Sequence, residues 1–174
     1  MKKNLKGFSL IELLIVVAII LIIAAIAIPN LLRARMAANE SSAVGSVRTI
    51  VTSQVTYQST WGVGFAPSLA ALGTPVGGCG TASATQACLI DPVLTTANVN
   101  GKSGYKINTS SAGGGGTTAS PNTTFGVDAW PVTYGSTGTR SFCADESGVI
   151  HYQTVGGQIG ETDTACEAIT AILQ

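Results

Sequence analysis

Four cysteines (Cys79, Cys88, Cys143 and Cys166), one histidine (His151) and nine carboxylates are the groups in this 174-residue chain most capable of chemistry. An even cysteine count reads as disulfides wherever the compartment is oxidising. Three pairings are open. The sequence-local one, Cys79–Cys88 with Cys143–Cys166, is the expectation, and each bridge would contribute roughly 2.5–3.5 kcal/mol in a chain-entropy picture. Zinc is the rival, but no Cys-x-x-Cys occurs and there is a single histidine. No Cys-x-x-Cys-His is present for haem attachment. His151 falls in an expected strand, where a structural role outweighs catalysis. Asp145 and Glu146 are adjacent, so on an extended chain they face opposite ways; in a turn they solvate the hairpin rather than bind calcium. Asp91, Asp128, Glu161 and Asp163 form no recognisable spacing. No nucleophile–base pair emerges, so neither an enzyme nor a metal or cofactor site is expected.

The run Gly113–Gly116, within SSAGGGGTTASPNTT from Ser110 to Thr124, lacks the Lys-Ser/Thr of a phosphate loop. It reads as a flexible exposed loop. Asn-x-Ser/Thr triplets at Asn39, Asn108 and Asn122 are what a Ser/Thr-rich chain produces by chance. Nine Lys+Arg balance nine Asp+Glu, and only 10% of residues are charged. That excludes a highly charged disordered tail and argues against a dedicated nucleic-acid binder.

The elements that position these groups begin with an apolar segment. Leu13 to Ile28 reads LLIVVAIILIIAAIAI without interruption. Extended back to Phe8, and broken only by Ser9 and Glu12, it makes a helix of roughly 31 Å, the thickness of a bilayer's hydrocarbon core. Lys2, Lys3 and Lys6 precede it and hold the N-terminus in the cytoplasm, which puts the remainder, cysteines included, outside. One reading is a secretory signal peptide cut at Ala25-Ile26-Ala27. The other is a retained anchor. The apolar stretch exceeds the usual ~7–15 residues of a signal, and Glu12 is an acid placed where acids are costly. Near a helix end Glu12 can snorkel; otherwise it awaits a cation, from another chain or from a newly made N-terminus.

Lys6-Gly7-Phe8-Ser9-Leu10-Ile11-Glu12-Leu13, followed by LIVVAII, resembles the type IV pilins, of the type IVa branch, and their type II secretion pseudopilin relatives. The resemblance covers about the first 30 residues. It implies that a prepilin peptidase cuts between Gly7 and Phe8, that the new amine of Phe8 is methylated, and that the apolar helix is retained. It implies an α+β, ladle-shaped fold: a long N-terminal helix packed on a small antiparallel sheet. Cys143 and Cys166 resemble that family's C-terminal disulfide loop. Many members carry a Gly midway along the apolar run, where this chain has Leu21, and loosen their helix between that Gly and a downstream Pro. Here only Pro29 is present, and it can kink the helix by removing one backbone bond.

Four segments result: a leader at 1–7, an apolar membrane and assembly helix at 8–29, an amphipathic continuation at 30–57, and a globular head at 58–174. Leu32, Met36, Val44, Val47, Val51 and Val55 suggest the buried stripe of one helix from Ser9 to Tyr57, roughly 73 Å long. Arg33 and Arg35 are read as interfacial charges or as partners of Glu40. Residues 58–104 read as a connecting region with a helical turn near Ser68–Leu72. Strands are expected at Gly104–Asn108, Thr124–Ala129, Arg140–Ala144 and Val149–Gln153, the last two joined by a turn at Asp145–Gly148.

The resemblance implies a pilus subunit that waits in the inner membrane and polymerises with other copies into an extracellular filament for adhesion, twitching or DNA uptake. The prepilin peptidase and an inner-membrane assembly platform are the implied partners. A secretion pseudopilin is the alternative, and a secreted or anchored binding domain cut at Ala27 a further one. Loss of three leader lysines leaves six cations against nine acids, a net −3. Such a surface disfavours general nucleic-acid binding, although Lys102 and Lys106 can touch phosphate locally.

Overall fold

The computed structural model describes residues 8–75, 77–160 and 163–173. The leader, including Gly7, and Glu161 lie outside the described residues. The chain forms two compact units, Met1–Arg35 and Met36–Gln174. Helix α1, Leu10–Trp61, has 52 residues and contains Pro29; it ends four residues beyond the expected Tyr57. In the first unit its side chains are almost all exposed, including Leu21 at 63% and Ile28 at 56%, as is Phe8 before it at 78%. The helix is long and apolar enough there to cross a membrane.

From Met36 onward α1 packs into the second unit. The face it buries is Glu40, Ala43, Ser46, Val47, Ile50, Ser53, Gln54 and Tyr57. This corrects the expected stripe: Leu32 and Val55 are exposed, at 53% and 55%. Val44 and Val51 pack at its margin. Counting valines places the face about one residue off, because half of the true face is polar. Those polar groups are buried only because partners elsewhere in the fold satisfy them.

The expected antiparallel sheet is present, with strands β1 (Tyr105–Ala112), β2 (Thr124–Pro131), β3 (Ser141–Asp145) and β4 (Ile150–Gln153) in sequential order. Alternation in β1 buries Tyr105, Ile107 and Thr109. β2 and β3 are buried along most of their length. β1 runs beyond the expected Asn108 and takes in Ser110–Ala112, residues assigned above to the loop. Pairing with Gly126, Phe125 and Thr124 outweighs the weak strand preference of Ser-Ser-Ala. The turn Asp145–Gly148 forms as expected: Gly148 N–H donates to the Asp145 carbonyl at 3.0 Å, and Asp145 Oδ1 accepts from Ser147 N–H at 2.8 Å.

The expected helical turn near Ser68 is α2 (Leu69–Leu72), capped by Ser68 Oγ, which accepts from Ala71 N–H at 3.3 Å. Two further short helices, α3 (Pro92–Thr95) and α4 (Ala97–Asn100), lie in the region read as connecting chain. Asp91 caps α3 by accepting from Leu94 N–H at 2.9 Å, with Pro92 opening the helix, a start signal legible in the sequence. Helix α5 (Asp163–Glu167) also went unforeseen. The core gathers Val47, Ile50, Tyr57, Leu72, Phe125 and Phe142 between the second half of α1, α2 and the sheet.

Candidate functional site

The N-terminal candidate is the segment Phe8–Pro29. Glu12 is exposed, and its Oε2 accepts from Ser9 N–H at 2.9 Å. A carboxylate one turn in thus satisfies one of the four N–H groups that a helix start leaves without partners, and it sits where the helix dipole favours negative charge. The surrounding side chains are hydrocarbon with no protein over them. Burying each would be worth about 1.5–3 kcal/mol, so this surface calls for lipid or neighbouring helices. Arg33 and Arg35 are exposed.

Glu40 does not pair with them. Glu40 is 6% exposed, and its carboxylate engages the β2–β3 connection. Oε1 accepts from Thr139 N–H at 2.8 Å and Thr139 Oγ1 at 3.0 Å, while Oε2 accepts from Arg140 Nε at 2.8 Å and lies 2.7 Å from Arg140 Nη2. Burial by itself would raise the Glu40 pKa; the hydrogen bonds from Thr139 and Arg140 outweigh it and hold the carboxyl below its ordinary value. The Arg140 guanidinium also stands over the rings of Phe142 and Tyr152, at 5.6 and 5.5 Å. Its carbonyl accepts from Tyr105 Oη at 2.8 Å. Burial, followed by the charge of Glu40, pushes the Tyr105 phenol well above its ordinary value. Beside them Asn39 Nδ2 donates to the Thr137 carbonyl at 2.9 Å.

A second buried polar group ties α1 to the loop after it. Gln54 Oε1 accepts from Ala66 N–H at 2.7 Å; its Nε2 donates to the Ala66 carbonyl at 3.1 Å and to Thr109 Oγ1 at 3.2 Å. Asn122 ties the glycine-rich loop down, donating from Nδ2 to the Phe65 carbonyl at 2.9 Å and to Ser111 Oγ at 2.8 Å. Arg140, Gln54 and Asn122 take these roles without any local sequence signal. Their partners lie 100, 12 and 57 residues away, so no local pattern marks them.

The structure joins Cys79 to Cys88 and Cys143 to Cys166, with Cα separations of 6.0 and 5.7 Å. His151 lies half-buried in β4, and its Nδ1–H donates to the Ile169 carbonyl. Lys102 Nζ donates to Ser46 Oγ at 2.9 Å. Among the described residues no three His, Cys, Asp or Glu side chains gather as a metal site. A cleft of about 400 Å³ lies between Tyr57, Pro67 and the Gly114–Gly116 backbone. Tyr57 Oη, whose pKa burial raises, donates to the Ala84 carbonyl at 2.6 Å.

Comparison with known proteins finds similarity over part of the chain. The family described as "Prokaryotic N-terminal methylation motif" matches residues 2–28. The chain is 54% identical over 56 residues to the type IV wide pilus major component PilA4 of Thermus thermophilus, a match covering 32% of this chain and 43% of that protein. It is 46% identical over 54 residues to the type IV major pilin protein PilA of Myxococcus xanthus, covering 31% of this chain and 24% of that one. The matched region thus spans less than half the length of either relative. No solved structure matches. The N-terminal motif and both relatives support a type IV pilin.

Proposed function

We propose that this chain is a structural subunit of a type IV pilus and has no catalytic role. The observation that carries the reading is the helix from Leu10 through the first unit, apolar and uncovered along its length, with a carboxylate at its start. A prepilin peptidase removes residues 1–7, cutting between Gly7 and Phe8, and the amine of Phe8 is methylated. Residues 8–29 hold the subunit in the inner membrane and then leave lipid for a filament core built from other copies. Residues 30–57 and 58–174 form the spine and head of the subunit, and an inner-membrane platform drives assembly into an extracellular filament. Between apolar helices the cationic Phe8 amine of one copy attracts Glu12 of another far more than it would in water, although desolvation offsets much of the gain. The pair therefore serves register: an unpaired Glu12 is costly, so copies insert at one height.

Intact-mass measurement of the membrane-extracted chain, with electron microscopy of sheared surface material, tests this. A methylated N-terminus at Phe8 together with filaments supports the proposal; a chain starting at Ile28 overturns it. Glu12→Ala should insert into the membrane yet yield fewer filaments, and undiminished filaments would remove the register role.

A further inference from the structure

The sheet has one edge at β4, and the chain's own C-terminus covers it. Tyr152 N–H donates to the Ala171 carbonyl at 2.9 Å, Leu173 N–H donates to the Ile150 carbonyl at 2.8 Å, and His151 bridges Ile172 in antiparallel sense. Leu173 packs against the core while Ile172 is 52% exposed. The His151 side chain holds the Ile169 carbonyl just before this short strand. One covalent bond ties the segment to its own sheet, the disulfide from Cys166 in α5 to Cys143 in β3. The joining stretch 154–162 carries Gly156, Gly157 and Gly160.

We propose that the β4 edge is a strand-accepting surface whose second occupant is the C-terminal segment, Ala171–Leu173, of another copy of this chain, and that the Cys143–Cys166 disulfide keeps the exchange closed. An uncovered edge offers unpaired N–H and C=O groups to any extended segment. Another copy's tail makes the same two hydrogen bonds and fills the same Leu173 site, so only connectivity separates the closed form from the swapped one. A dithiol opens it: the S–S bond breaks, two cysteine thiols form with the two protons and two electrons supplied, and the dithiol closes into its own disulfide. This inference is independent of pilus assembly.

The test uses full-length chains at several copies per detergent micelle. A Cys143→Ala chain is mixed with a Cys166→Ala chain under oxidised glutathione, and the disulfides are mapped by mass spectrometry. Seating of one tail on the other chain's sheet makes Cys143–Cys166 the dominant interchain link. Leu173→Asp in the donor chain should lower its yield at least tenfold. Statistical proportions of the three possible links, or glutathione adducts alone, overturn the proposal. Should the single variants not fold, the unaltered chain is reduced with dithiothreitol and followed by amide exchange. The Tyr152 amide should then exchange at least tenfold faster while the amides of β2 stay protected, and reoxidation in crowded micelles should give interchain Cys143–Cys166 links. Unchanged Tyr152 protection, or reoxidation to monomer alone, overturns the proposal.

Discussion

Glu40, on the second half of α1, clasps Arg140 at the entry to β3 through both Nε and Nη2, at 2.8 and 2.7 Å, and takes two more hydrogen bonds from Thr139. The two residues stand 100 positions apart in sequence. The clasp fastens the β2–β3 connection to the helix, and the rings of Phe142 and Tyr152 hold the guanidinium in place.

Glu40→Ala should therefore destabilise the head by about 1.5–3 kcal/mol, the range for hydrogen bonds to a charged group. Because 37% of the Arg140 side chain remains exposed, solvent screens the released cation and holds the loss below that for a fully buried pair. Urea unfolding of the detergent-solubilised chain, followed by tryptophan fluorescence, measures it. A loss under about 0.5 kcal/mol would mean that the clasp adds no more than a surface ion pair does.

The same carboxylate gives stability a pH dependence. Its folded pKa lies below the ordinary value, so its contribution is complete above the unfolded carboxylate pKa. The contribution is lost as pH falls through the folded pKa. Melting temperature should fall with acidification through that window, and Glu40→Gln should flatten the slope while leaving other acid transitions in place.

Gln54→Ala removes both partners of the Ala66 backbone and one partner of Thr109 in a fully buried site. Unsatisfied buried groups of this kind cost about 1–3 kcal/mol each. Denaturation should show a loss in that range, and rapid amide exchange at Ala66 should accompany it.

Two glycines should respond in opposite directions. Gly64 has φ +84°, and a Cβ there would lie 2.1 Å from the Asn122 carbonyl oxygen, in the bridge between the helix exit and the glycine-rich loop. Gly64→Ala should destabilise. Gly45 lies inside α1 with open space around its Cβ position, so Gly45→Ala should stabilise by about 0.5–1 kcal/mol. Thermal melts of the two variants decide both signs.

Much of the architecture was legible because its signals are local. The apolar run at 13–28, the basic residues before it and Glu12 at its start define the N-terminal helix by composition and spacing. The Asp145–Gly148 turn and the strands around it follow from turn chemistry and alternation. The small helices α3 and α5 are four and five residues long, too short for periodicity to register.

The sequence by itself determined that an apolar helix long enough to span a bilayer precedes an α+β head with four cysteines, because hydrophobic run length and side-chain periodicity are properties of neighbouring residues. Only the tertiary structure decided which face of α1 turns inward, that Glu40 answers to Arg140 rather than to Arg33 or Arg35, and that the C-terminal residues close the sheet edge. Those choices depend on groups far apart in the chain. A polar side chain can be buried only when the fold brings it a partner.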